Sequence, residues 1–144
     1  MTRARGRIAA AGLLAAAVLL VTAAIALRPA VSADPGDPPT IEIHIHYSHY
    51  DPSSLSVPLG RPVRFVIHND DPIDHEWIEG NAAVQQIHRV GTELRHAARP
   101  TELSIPALST IETTVTFRTA GSEYYICHLP GHEAYGMVGT IDIR

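Results

Sequence analysis

The sequence predicts an all-β fold, a Greek-key antiparallel β-sandwich of seven or eight strands with one helical insertion, preceded by an apolar N-terminal helix. Three observations predict it. Several segments alternate apolar and polar residues with period two, as Ile41, Ile43, Ile45 and Tyr47 do against Glu42, His44 and His46. Turn signals rich in Pro, Gly, Asp and Ser separate these segments at short intervals. A single stretch, residues 81–98, changes to helix-favouring composition. At 144 residues the chain has room for one domain with a single core.

The first 33 residues read as a targeting segment. Arg3, Arg5 and Arg7 precede an uncharged run from Ile8 to Leu27, and Val31-Ser32-Ala33 supplies a small-residue cleavage site. The run is about 20 residues long, enough to span a bilayer. A cleaved signal peptide is favoured by the Ala-rich run and the cleavage site; a retained anchor over residues 8–27 is the alternative. Either outcome places the folded part outside the cytoplasm, because the Arg cluster stays inside. No Cys lies near the run, which excludes a lipid-modified Cys. Residues 34–39, "DPGDPP", form a Pro/Gly linker. The expected domain is therefore residues 40–144.

Within that domain "TIEIHIHY" is a half-buried strand. "DPSS" is a turn, and "LSVPLG" an edge strand limited by Pro58. "RPVRFVIHN" alternates again, with Val63, Phe65 and Ile67 on one face. "DDPID" turns the chain into "HEWIEG". The helical stretch has Asn81 as its N-cap, is weakened or divided at Gly91, and ends by Pro100. "TELSIP", "STIETTVTFRT", "EYYIC" and "GMVGTIDIR" complete the strands.

From Asp34 onward seven Arg stand against 15 acids, a balance of −8, with no Lys in the chain. An acidic exported domain is excluded as a nucleic-acid binder, while a basic protein partner is compatible with it. The one Cys, Cys127, has no intramolecular disulfide partner, which leaves an intermolecular bridge, a reactive thiol, a metal ligand or a buried structural thiol.

Its surroundings decide. "YYICHLPGHEAYGM" places His132 five residues and Met137 ten residues after Cys127. A thiolate, an imidazole and a thioether on one short loop are soft and borderline donors of the kind that hold copper. A trigonal His-His-Cys centre with a weak axial Met needs one more His. His75 is the candidate, since it follows a turn that can meet the last interstrand loop at one pole of a sandwich.

Two segments carry a resemblance. "DPSSLSVPLGRPVRFVIHNDDPIDH" and "YYICHLPGHEAYGMVGTI" resemble the two halves of the cupredoxin pattern, that of the small blue copper proteins plastocyanin, azurin and rusticyanin. The likeness covers about residues 40–144. It implies one type 1 copper per chain, held by His75, Cys127, His132 and, axially, Met137. It also implies that Asn69 ties the first-His segment to the Cys loop. The physics agrees: a rigid site shaped between the preferences of Cu(I) and Cu(II) changes little when an electron moves.

The other His residues are read plainly. "CH-x3-H-x4-GM" resembles the last domain of multicopper oxidases, but Ile126 stands where their pattern needs another His, so His128 is a loop residue. His44, His46 and His49 lie on or beyond the polar face of the first strand, and His88 and His96 lie eight apart in the helical stretch. Both groups are expected to be solvated; a second metal site is the alternative for each. A lid or a partner surface is a further alternative for the insert.

The function expected is single-electron transfer between exported or membrane-bound protein redox partners, without enzyme activity. The alternative is copper binding, delivery or resistance outside the cell. A small copper oxidase or nitrite-reducing oligomer is the remaining class. It would need a second copper on His44, His46, His88 or His96.

Overall fold

The structure, a computed structural model, describes residues 36–91, 96 and 99–144. The expected targeting segment 1–33, the start of the linker, and residues 92–95, 97 and 98 lie outside the described residues. Residues 38–144 form one compact unit.

Strand β1 (Thr40–His46) buries Ile43 and Ile45 completely, as its period-two pattern requires. The chain then turns tightly at Tyr47 and Ser48, both with positive φ, into β2 (His49–Asp51). Two consecutive left-handed residues are the geometry of a two-residue hairpin whose twist matches its strands. After β3 (Ser54–Val57) and β4 (Pro62–Asn69) comes β5 (His75–Gly80), all six of whose residues are buried. Helix α1 (Ala82–Val90) follows, and then β6 (Glu102–Ile105), β7 (Thr110–Thr116), β8 (Gly121–Ile126) and β9 (Val138–Ile143).

The strands form two sheets, ordered β2-β1-β4-β7 and β3-β9-β8-β5-β6. One apolar cluster joins them, with Ile43, Phe65 and Ile67 from the first sheet against Trp77, Tyr125 and Ile141 from the second. Phe65 and Trp77 lie with ring centroids 5.3 Å apart. The backbone passes so near the Tyr125 ring at Gly139 that any Cβ there would overlap it.

The sandwich differs from the sequence expectation in three ways. The sheets are mixed rather than antiparallel, since β1 pairs parallel with β4 and β3 with β9. Alternation reports which face a residue takes but not the direction of its neighbour. Among the described residues there are nine strands, because the three-residue β2 is too short to show a period. The helix stops at Val90, well short of residue 98, where the Gly91 amide donates to His88 O. Its start is as expected: Asn81 Oδ1 accepts from the amides of Ala83 and Val84. No helix among the described residues is long and apolar enough to cross a membrane.

The register sets up one pole of the sandwich. β5 and β8 run antiparallel with Ile78 opposite Ile126, so His75 at the start of β5 lies beside the segment following β8. β8 and β9 pair Ile126 with Val138, and the Cys127 amide donates to Met137 O at 3.3 Å. The loop that begins at Cys127 and ends at Met137 is therefore closed at its base by a continuing ladder.

Candidate metal centre

His75, Cys127 and His132 converge at that pole. Cys127 Sγ is 3.3 Å from His132 Nδ1, and His132 Nδ1 is 3.2 Å from His75 Nδ1. One donor atom from each of the three lies within 4.8 Å of the others. His75 is 1% exposed and Cys127 0%, while His132 is half-buried. Met137 is also 0% exposed, and its amide donates to His132 O at 3.0 Å, which folds the loop back on itself. All four expected ligands thus sit on two adjoining segments at one end of the core.

Each donor is oriented by a partner. His75 Nε2 lies 2.9 Å from Asp71 Oδ2. A carboxylate accepts, so it places the ring proton on Nε2 and leaves the Nδ1 lone pair facing Cys127 and His132. Asp71 is fixed in turn by the amides of Tyr47 and Ser48, at 2.8 and 2.7 Å. Burial alone would raise the Asp71 carboxyl, but those two amides and His75 together outweigh it and hold its pKa below the ordinary carboxylate value. The unforeseen strand β2 has a purpose here: its turn positions the carboxylate that positions His75. Positive φ at Tyr47 and Ser48 left no signature in residue types that rarely adopt it.

The Cys127 thiol is pushed up to about 11 by burial, against the lowering effect of amide bonds from Leu129 and Glu76. The Glu76 amide lies 3.4 Å from Sγ. A thiol with such a pKa keeps its proton at neutral pH until a cation displaces it, so metal binding here releases a proton. Burial first, and then the neighbouring His75, lower the pKa of His132 and keep its imidazole neutral and able to ligate. One thiolate and two neutral imidazoles fit copper, and a buried thioether at the end of the same loop is of a type its two oxidation states also accept.

Asn69 does not tie to the Cys loop as the resemblance implies. Its Nδ2 donates to the carbonyls of Ile73, Ile105 and Pro106, at 2.9, 3.3 and 2.9 Å, and its Oδ1 accepts from the Asp71 amide. It braces the His75 turn against the end of β6. The Cys loop is tied instead to α1. Arg89 bonds both oxygens of Glu133, and His128 Nε2 lies 2.8 Å from Gln85 Oε1. Gln85 is itself buried and donates to the carbonyls of Ile78, Gly80 and Tyr124.

The remaining His residues divide. His44 is exposed, bonds Asp70 at 2.9 Å and stacks on His68. His46 is exposed against Tyr47, and His49 bonds Tyr47 O. His88 and His96 are not solvated as expected. Their side chains are largely buried, His96 lies beyond the helix, and the two rings are 5.0 Å apart.

A β-sandwich that brings a buried Cys and two His together at one pole, with a buried Met closing the same loop, carries a candidate site for a soft metal. A family profile described as "Cupredoxin-like domain" matches residues 13–87, and the chain belongs to that family. The match includes His75 and stops short of Cys127. The copper-resistant cuproprotein CopI of Rubrivivax gelatinosus is 34% identical over 99 residues, covering 66% of this chain and 59% of CopI. Auracyanin-B of Chloroflexus aurantiacus is 32% identical over 106 residues, covering 63% of this chain and 45% of the relative. The chain therefore spans only about half of these relatives' lengths. The solved structure of auracyanin A, described as a "blue" copper protein from Chloroflexus aurantiacus, superposes with a TM-score of 0.59 at 26% identity, covering 75% of this chain and all of that one.

Proposed function

We propose that the chain is an exported copper protein that carries single electrons through one copper held by His75, Cys127 and His132, with Met137 as the axial ligand. The observation behind this reading is the approach of Cys127 Sγ and the two Nδ1 atoms to within 3.2–3.3 Å in sequence. Bound copper would supply the one-electron couple. The protein's part is to hold both states in one geometry: Asp71 fixes the His75 ring, the β8–β9 ladder fixes Cys127 and Met137, and α1 braces the loop between them. Four protein donors leave no open position for a substrate, which favours a carrier over a catalyst.

Docking is provided for at the same pole. The half-buried His132 is the ligand nearest to solvent, and Pro130, Ala134 and Tyr135 around it are exposed, Tyr135 by 76%. An apolar rim around a conducting imidazole suits brief association with redox partners, including membrane-bound ones. Export rests on the basic and apolar pattern of residues 1–33.

The second reading, copper binding and delivery in resistance, is favoured by the likeness to CopI. Repeated reduction and reoxidation in the presence of a Cu(I) chelator separates the two. A carrier keeps its copper through every cycle, whereas a delivery protein yields it on reduction.

A further inference from the structure

A second group of metal-type donors lies beside the first. His88 Nε2 is 3.8 Å from Glu102 Oε2, and His96 Nδ1 is 4.0 Å from the same oxygen. One ligand atom from each of the three falls within 4.8 Å of the others. Their side chains are 12%, 4% and 14% exposed, so the group is sheltered, unlike the Glu42–His44–His68 group on β1 and β4, where Glu42 and His44 are exposed.

The orientation of His88 carries the argument further. Its Nδ1 lies 2.9 Å from Val84 O, and a carbonyl only accepts, so Nδ1 bears the proton. In the neutral ring Nε2 then presents a lone pair toward Glu102 at 3.8 Å, too far for a hydrogen bond and repelled by the carboxylate. A cation between them removes that repulsion. A ring nitrogen fixed through its other nitrogen by a backbone carbonyl is the usual support of a metal-ligating His. Glu76 adds a second carboxylate, with Oε1 3.3 Å from His96 Nε2, so two carboxylates balance a divalent charge. Arg99 also bonds Glu102, but its side chain is 72% exposed and is free to turn to water and release one oxygen.

We propose that His88, His96 and Glu102 form a second cation site, for a borderline divalent metal such as Zn(II) or Cu(II). Two imidazoles and a carboxylate are the ligand set such ions take, and ligands about 2 Å from a tetrahedral ion require each ring nitrogen to move roughly half an ångström closer to Glu102 Oε2. The site is coupled to the first through Glu76, which follows His75 in the chain and whose amide meets Cys127 Sγ at 3.4 Å. A cation held there raises the reduction potential of the first centre, because added positive charge favours its reduced state.

The test uses the full chain, first loaded with one equivalent of Cu(II), then incubated with Zn(II), with bound zinc counted after gel filtration. The expected result is one zinc per chain in the parent. His88→Ala and His96→Ala each lose at least tenfold in zinc affinity while keeping the visible band of the first centre, which certifies the fold. Glu102→Gln, which keeps the side-chain shape, serves where an alanine variant does not fold. Zinc that is not retained by the parent overturns the proposal. So does zinc retained equally by these variants, or lost instead in His44→Ala. The same count on Cys127→Ser, loaded with zinc alone, reads the second site even where the first reading fails.

Discussion

Removing the Asp71 carboxylate is the sharpest perturbation of the first centre that leaves its ligands in place. In Asp71→Ala three bonds disappear together: two from the Tyr47 and Ser48 amides and one from His75. The amides lie on a turn that water can reach, so each costs about 1 kcal/mol net. The His75 side chain is 0% exposed, and its stranded Nε2–H costs the fuller desolvation penalty of about 1–3 kcal/mol. The sum is about 3–5 kcal/mol of folding stability, read by urea unfolding of the copper-free protein. Copper affinity should fall by roughly 10–100-fold, since the ring is no longer held in its ligating tautomer. Asp71→Asn keeps an acceptor without the charge and should cost about half as much in stability. A competition titration against a calibrated Cu(II) chelator measures the affinity. An Asp71→Ala protein within about 0.5 kcal/mol of the parent, binding copper within about threefold of it, would refute the orienting role.

Other consequences follow from the same packing. Met137→Gln exchanges a soft thioether for a harder oxygen, favours Cu(II) and should lower the potential measured by voltammetry, with about 59 mV for each tenfold change in relative affinity. An unchanged potential would remove Met137 from the axial position. Gly139→Ala drives a methyl into the Tyr125 ring, which is held by its hydroxyl on Pro52 O at 2.6 Å, and should cost about 1–3 kcal/mol or more by thermal unfolding. Burial, and then the neighbouring Glu123, push the Glu79 carboxyl up to about 9 from 4.5. Folding favours its neutral form, so that stability is full below about pH 4.5 and is lost progressively as pH rises from there through about 9. Glu79→Gln should therefore be more stable than the parent by roughly 1–3 kcal/mol near pH 8 and indistinguishable from it near pH 4, by urea unfolding at both values.

What could be read in the sequence was what periodicity and donor chemistry record locally. The alternation of Ile41, Ile43 and Ile45, and of Val63, Phe65 and Ile67, gave the strands and their buried faces. Four donors of three types pointed to the candidate centre, with His75 chosen across 52 residues because one pole had to supply it. Strand direction was invisible, since β1 beside β4 and β3 beside β9 have the same alternation in either sense. Asp71 was hidden inside a turn signal, where acids are common without tertiary work. Asn69 was recognised as structural but joined to the wrong neighbour, because which carbonyls it meets depends on the approach of β6. The burial of His88 and His96 depends on helix α1 stopping at Val90, which composition alone placed later.

The most direct test of the centre is the visible spectrum of the full chain during titration with Cu(II), beside that of Cys127→Ser. A buried thiolate bound to Cu(II) gives an intense blue or green band. The band should grow to one equivalent, stop there, and be absent from the serine variant. A parent protein that binds Cu(II) tightly and stays nearly colourless, or a variant that keeps the band, would contradict the assignment of Cys127 as a copper ligand.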